Sequence, residues 1–449
     1  MTPEEVFKIV KERSAGCLAT TFELYLVSSN QTVIEGKGGE ISCYQKAEPK
    51  GAAIRIFGNK KVGFSTTSSW ERSALERMVD FASSGMAFLE EDAWVGPVPL
   101  PSTLPPFEGL DRSLLTIPEK KKFELVIGLE RKAKEHDSRV TRVRKAEYQE
   151  EVTRVHLFSS ESSNGNHELS YEKSLCEIAI QVMVEEKKDQ QASWDSDFAT
   201  HFAALHPDKV ALGAADKALS LLGAGTIPTQ KVPALLDPGV STSFLGMLIS
   251  SFLAENVQKG KTVLADKKGK KIFSEAISLV DDGLMKGGYR SSPFDGEGMP
   301  RQTTTVVEKG VLKNFLYDTY RARRDKTTST GNSLRSSYRE PPTLAHSNFF
   351  VTPGRRTVEA MLQDVDKGFW VTDVIGVHTI DPFSGDFSVG ATGFWIEKGK
   401  KKQAVRGVAI AGNLQELFNQ VVEVASDLRF YESVGSPSLL VSSLQISGT

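Results

Sequence analysis

The chain is short of the residues that most often announce chemistry. It has three cysteines (Cys17, Cys43, Cys176) in 449 residues, far apart and without a CxxC spacing. That excludes a disulfide scaffold and a cysteine-rich metal site, and it favours a reducing compartment. Histidine is nearly as sparse, with seven in all and none between His206 and His346. Neither charge dominates: 55 lysines and arginines face 57 aspartates and glutamates. Without a basic excess, a nucleic-acid binder is not expected. No window offers about 20 consecutive apolar residues, so no membrane span is expected. The opening MTPEEVFKIVKERS lacks an apolar leader and reads as a capped helix, with Thr2 as N-cap, Pro3 in the first turn and Glu5 closing the box. The default location is the cytoplasm.

The size and the mixed periodicities imply α+β architecture in two or three domains. Residues 97–106, PVPLPSTLPP, hold five of the 19 prolines and can be neither helix nor central strand. They divide an N-terminal α/β unit (1–96, then a Pro-rich linker to 110) from a middle α+β unit (111–225). Gly223, Gly225 and Pro228 mark a second boundary, before a β-rich C-terminal domain (226–449). In the first unit a helix after Ser69 has Leu75, Met78, Val79 and Ala82 as its apolar face. In the second, Thr116 and Glu119 predict a capping box for a helix reaching His136. Strands are predicted at 140–148, 153–159 and 168–185, with a turn cluster at 162–166 and a helix over 207–222. In the third, one helix is predicted at 241–255. Another starts at Asn413, with Glu416 as the box partner and Leu414, Leu417, Phe418, Val421, Val422 and Ala425 as its core face. The basic runs at 120–122, 267–271 and 398–402 read as solvated helix starts or hairpin tips.

Familiar catalytic motifs do not occur. There is no Gly-x-Ser-x-Gly elbow and no phosphate loop. Asp281-Asp282 and Asp295-Gly296-Glu297 offer oxygen ligands without the spacing of a calcium loop, and read as solvated turns. Ser329 to Asn332 (STGN) with Arg335 could cradle a carboxylate or peptide terminus, the plainer reading being a polar surface loop. His378 lies near Asp373, Asp381 and Asp386 and reads as a hydrogen-bonded loop residue, with a ligand or base role as the alternative. After that turn, Gly390 and Gly393 interrupt a strand-like run beside Phe394 and Trp395. Bare backbone next to an aromatic anchor suits close packing on another chain; Trp395 in the core is the equal alternative.

The run SGDFSVGATGFWIEKG (from Ser384), followed by AIAGNL, resembles the C-terminal signature of the TldD/PmbA family, once called modulators of DNA gyrase. The blocks GAAIRIFGNKKVGFSTTS (from Gly51), FDGEGMPRQTTTVVEKGVLKNFLYD (from Phe294) and STGNSLRSSYREPPTLAHSN (from Ser329) resemble family blocks in the expected order. The resemblance implies a metallopeptidase family in which TldD members carry His-Glu-x-x-x-His on the helix opening the C-terminal region, plus a later cysteine ligand. Here that helix reads STSFLGMLISSFLAE from Ser241, without histidine, and no cysteine follows Cys176. His201 and His206 have the motif's spacing, but Phe202 stands at the base position and Pro207 opposes helical geometry; they read as ordinary histidines. The resemblance therefore implies the PmbA/TldE-like branch: no catalytic or metal residues in this chain, zinc in a TldD-type partner, and a heterodimer acting on peptides or unfolded polypeptides. The isolated chain as a homodimer is the alternative assembly. Arg335, His378, Asp381, Asp386, Gly390, Gly393, Trp395 and Asn413 are the candidate cleft or interface residues. Rival functions are a stand-alone peptidase with an unrecognised site and a regulatory protein acting on gyrase.

Overall fold

The computed structural model describes residues 1–16, 21–161 and 167–448. Cys17 and the turn expected at 162–166 lie outside the described residues. The fold is α+β, and one strand ties its first half together. Thr21–Lys37 is long enough to pair on one edge with Lys50–Gly58 and Glu40–Ala47, and on the other with Val140–Ser159. Glu168–Glu186 and Asp189–Ala199 extend the same antiparallel sheet, which with Lys61–Thr67 has seven strands. The segments expected at 140–148 and 153–159 are thus a single strand, because Thr21–Lys37 and Glu168–Glu186 pair with it continuously through residues 149–152.

Helices Pro3–Ser14 and Arg72–Gly85 cover the N-terminal half of this sheet. Thr2 and Glu5 form the predicted reciprocal cap. The predicted stripe Leu75, Met78, Val79 and Ala82 is the set that Arg72–Gly85 buries. Glu119–His136 and Pro207–Leu219 cover the other half. The box predicted at Thr116 does not form: the helix starts at Glu119 behind Pro118, and Thr116 Oγ1 donates instead to the Ser113 carbonyl. Lys122 corrects the expectation of a solvated basic run. It is 5% exposed and ion-paired to Glu150 at 2.6 Å, and Glu150 also accepts from the Tyr148 hydroxyl.

The C-terminal part contains a closed barrel. Gln230–Leu236, Lys367–Ile375, Asp386–Glu397, Lys400–Asn413 and Leu439–Ser447 pair in a ring. Beside it lies a second six-stranded sheet that includes Leu279–Asp282, Thr303–Glu308 and Phe349–Val351. Phe244, Phe252, Phe273, Phe349, Phe369 and Phe418 are fully buried here. The expected 241–255 helix is really Pro238–Leu248, capped by Asp237, followed by a 3-10 turn Ile249–Phe252 and a break at Leu253. The helix at Asn413 is capped as expected but spans only Leu414–Asn419. Val421–Val424 then pairs with Leu439–Ser447, which leaves Val422 exposed instead of in a helical core face.

Polar contacts join the two halves. Residues 97–106 are pinned: Leu100 is fully buried against Val155, Leu157, Leu169 and Phe294, and Arg323 donates to the carbonyls of Gly96 (2.8 Å) and Pro97 (2.5 Å). Arg406 pairs with Asp189 at 2.8 Å, and Arg429 pairs with Asp195. Among the described residues no helix is long and apolar enough to cross a membrane.

Candidate functional site

The candidate residues fall into three places. Arg335 leaves the short strand Ser333–Leu334 and runs into the seam between the first sheet and the C-terminal part. Its side chain is 2% exposed. Nε donates to the Gly296 carbonyl at 2.8 Å, Nη2 pairs with Glu23, and the guanidinium lies 4.6 Å from the centroid of Tyr25. Glu23 also binds Arg55 at 2.5 Å, and Arg55 reaches Glu297 at 3.2 Å. This is a linked chain of ion pairs, so the expected surface loop is a buried one. Asn332 is 1% exposed and donates to Asp281 at 2.7 Å. Asp281, Asp295 and Glu297 are not solvated either. Asp281 accepts from the backbone and hydroxyl of Ser347. Asp295 accepts from the backbone N–H groups of Glu297, Met299 and Ser333. A cavity of 390 Å³ opens beside Arg335, and its walls include Tyr25, Tyr171, Lys173, Arg290, Phe294 and Arg301.

Asp381, Asp386 and Asn413 come together at the end of the signature hairpin. Asp381 accepts from the N–H groups of Phe383 and Ser384. Asn413 donates to the Ser384 carbonyl at 2.7 Å and to Asp386 at 2.8 Å, while its carbonyl oxygen caps the helix. The Asn413 amide, helped by the Ser384 hydroxyl, holds the Asp386 carboxyl below the usual range. The cluster closes a turn. His378 is exposed on a 3-10 turn, Val377–Thr379, just before it.

Gly390, Gly393 and Trp395 lie in barrel strand Asp386–Glu397. Gly393 sits at a bulge where a Cβ would stand 1.8 Å from the Trp370 carbonyl oxygen. Only glycine admits that approach of the neighbouring backbone. A Cβ at Gly390 would meet Ile375 at an ordinary 3.7 Å. Trp395 is partly buried against the barrel core, its indole N–H donating to Glu397 at 3.1 Å.

A second, larger cleft of 980 Å³ was not read from the sequence. It runs between helix Pro238–Leu248 and the edge of the first sheet. The helix turns Gly239, Thr242, Ser243, Gly246 and Met247 toward it, and Trp194, Trp370, Phe394 and Tyr431 add aromatic walls. Asp237, at the helix start, has its carboxyl pushed up by burial. Lys401 lies in the exposed hairpin tip at 398–402, as expected, and lays its ammonium 4.0 Å from the Trp370 centroid and 4.3 Å from that of Phe394. The detectable signal was an aromatic pair at cross-strand positions, since Trp370 faces Phe394 in the barrel register. His201 and His206 share no helix: Phe202–Ala204 is a 3-10 turn, and His206 precedes helix Pro207–Leu219 and binds Asp197 at 3.0 Å. Among the described residues, no group of three or more His, Cys, Asp and Glu side chains is placed to hold a metal ion.

Domain models of the PmbA/TldA metallopeptidases match the chain in three blocks: domain 1 at residues 22–85, the central domain at 112–222 and the C-terminal domain at 229–448. A "Metalloprotease PmbA homolog" of Buchnera aphidicola is 29% identical over 60% of this chain, which spans 58% of that relative's length. The "Metalloprotease PmbA" of Escherichia coli O157:H7 is 24% identical over 91% of this chain and 88% of its own. The crystal structure of TldE from Thermococcus kodakarensis has the same fold, with a TM-score of 0.90, 22% identity and 99% of each chain covered.

Proposed function

Given that the chain belongs to the PmbA/TldD metallopeptidase family, we propose that it is the PmbA/TldE-like subunit of a two-chain, cytoplasmic peptidase. Its partner is a TldD-type chain that carries the zinc and the general base. The observation that supports this most is the face of helix Pro238–Leu248 lining the large cleft. The residues it offers there are Gly239, Thr242, Ser243, Gly246 and Met247. None supplies the imidazole or carboxylate that zinc and its bound water require in a hydrolase. The cleft itself has the size and aromatic walls of a polypeptide-binding groove. In this reading the chain shapes and encloses a substrate path while the partner breaks the bond.

The test is reconstitution. Purified chain, after chelation and zinc reloading, is assayed on unstructured peptides alone and after mixing with a TldD-type protein. Activity is expected only in the mixture, and the zinc is expected to travel with the partner. Chelator-resistant activity that follows the isolated chain through chromatography would establish the stand-alone peptidase instead.

A further inference from the structure

The seam cavity carries more positive charge than the fold uses. Arg301 is 5% exposed, and all its hydrogen bonds go to neutral oxygens: the carbonyls of Gly331 (2.6 Å) and Ser333 (3.4 Å) and the Ser292 hydroxyl (3.4 Å). Arg290 donates to the His346 carbonyl at 3.4 Å and contacts its Nε2 at 3.3 Å. Burial, with Arg290 and Arg301 alongside, presses the His346 imidazole down to about 3, so it stays neutral and gives these cations no compensation. Lys173 lines the same cavity. Among the described residues none of the three has a carboxylate within ion-pair distance. Their mutual proximity shows in Lys173, whose ammonium is disfavoured by burial and by both arginines, against some relief from Glu151.

Two further polar atoms, on residues that line the cavity, are buried without a hydrogen-bond partner: Arg335 Nη1 and Ser333 Oγ. Buried charges in folded proteins are normally paired, and an unspent guanidinium donor is costly. Asp295 attracts Arg301 but makes no direct ion pair with it, both its oxygens accepting from backbone N–H groups. The rest of the wall is mixed: Tyr25, Tyr171 and Phe294 give it an aromatic side, with Tyr171 edge-on to Phe294 at 5.1 Å, while Gln31, Thr153 and Glu151 are among its polar residues. At 390 Å³ the space is that of a small-ligand site.

We propose that this cavity binds an organic carboxylate with an apolar body, namely the free C-terminal carboxylate of a short peptide, through Lys173, Arg290, Arg301 and Arg335. Naming a peptide rests on the function proposed above; the carboxylate rests on the cavity alone. Arginine suits it because two parallel N–H donors match two carboxylate oxygens. The aromatic side of the cavity takes the last side chain. The chain would then hold product or substrate ends at a place separate from the large cleft.

Isothermal titration calorimetry on the full isolated chain tests this without any partner or peptidase activity, so its failure is separable from failure of the reconstitution. The probes are acetyl-dipeptides ending in Phe, Leu or Gly, each as free acid and as C-terminal amide, with inorganic phosphate as a third arm. At least one free acid is expected to bind, and its amide at least about tenfold more weakly. Arg335→Met also strips Glu23 of a partner and risks misfolding, so the deciding variants are Lys173→Met and Arg290→Gln. Each should weaken the acid about tenfold or more, while the ligand-free melting temperature holds or rises because a repelling cation is gone. Lys173→Arg should retain binding. Equal binding of acid and amide, binding of phosphate alone, no binding by any probe, or unchanged affinity in both variants would each overturn the proposal.

Discussion

The seam around Arg335 and the signature hairpin around Gly393 drew attention in the sequence for opposite reasons, and the structure reverses their roles. The hairpin is conspicuous, with two glycines beside aromatics, yet its features are consumed by the barrel: Gly393 admits the Trp370 carbonyl, and Asn413 ties Asp386 to a helix cap. The seam segment looked like a polar surface loop. It is a buried crossing point where Glu23 from the first sheet meets Arg55 and Arg335, with further cations left unpaired beside it. Glycines in a strand report on backbone approach. Charged residues from distant segments report on sites only once the fold has gathered them.

The largest effect should come from removing the carboxylate that holds the seam. Glu23→Gln leaves Arg55 with only Glu297 and Arg335 with no ion pair, both arginines being buried. Breaking a buried pair from one side costs about 3–5 kcal/mol. Urea unfolding should show that loss in the midpoint. A loss below about 1 kcal/mol, the range of exposed pairs, would mean that the network is solvated and the contrast with the hairpin false.

Gly393→Ala is the matching test on the hairpin. Its Cβ would stand 1.8 Å from a backbone oxygen that cannot rotate away, so the bulge must move. Overpacking of this kind costs about 2–3 kcal/mol, read as a lower melting temperature. A neutral outcome would show that the bulge is plastic.

How much was legible follows from the same contrast. Local rules worked where the determinant is local: the Thr2–Glu5 cap, the Leu75–Ala82 stripe, the Asn413 cap and the strand through Gly390 and Gly393 all appear as expected. They failed where a distant partner decides. Lys122, on helix Glu119–His136, is buried only because Glu150 and Tyr148 arrive from strand Val140–Ser159. Residues 414–425 have a helical period, but pairing with Leu439–Ser447 draws Val421–Val424 into the sheet. The seam cavity draws on residues as far apart as Tyr25 and Arg335, a gathering no spacing rule encodes.

The third prediction returns to the seam through pH. His346 is held neutral by burial and neighbouring arginines, its folded value depressed to about 3. A depressed histidine contributes stability that is present above its unfolded value, near 6.5, and is lost as pH falls toward 3. Between about pH 6.5 and 5 the loss from this residue approaches 2 kcal/mol. His346→Gln keeps a polar side chain facing Ser433 and removes the titration, so its stability should fall less over that window. Urea midpoints of both proteins at several pH values measure the difference. Parallel curves would show that water reaches the imidazole and that the cations beside it are solvated too.

The smallest expected effect is at Gly390, and it sharpens the hairpin side most. A Cβ there meets only Ile375, at an ordinary contact distance, and Ile375 is itself 67% exposed. The barrel therefore has no need of glycine at this position. Gly390→Ala removes freedom from the unfolded chain and should stabilise the monomer by about 0.4–1 kcal/mol. A glycine kept where the chain's own fold would prefer alanine suits a second chain packing on the bare strand beside Ile375. If it does so, the variant should melt higher and yet associate more weakly with a TldD-type partner in analytical ultracentrifugation. A higher melting temperature with unchanged association would place that contact elsewhere on the chain. Gly390 and Gly393, three residues apart in one strand, would then differ only in what the barrel requires of them.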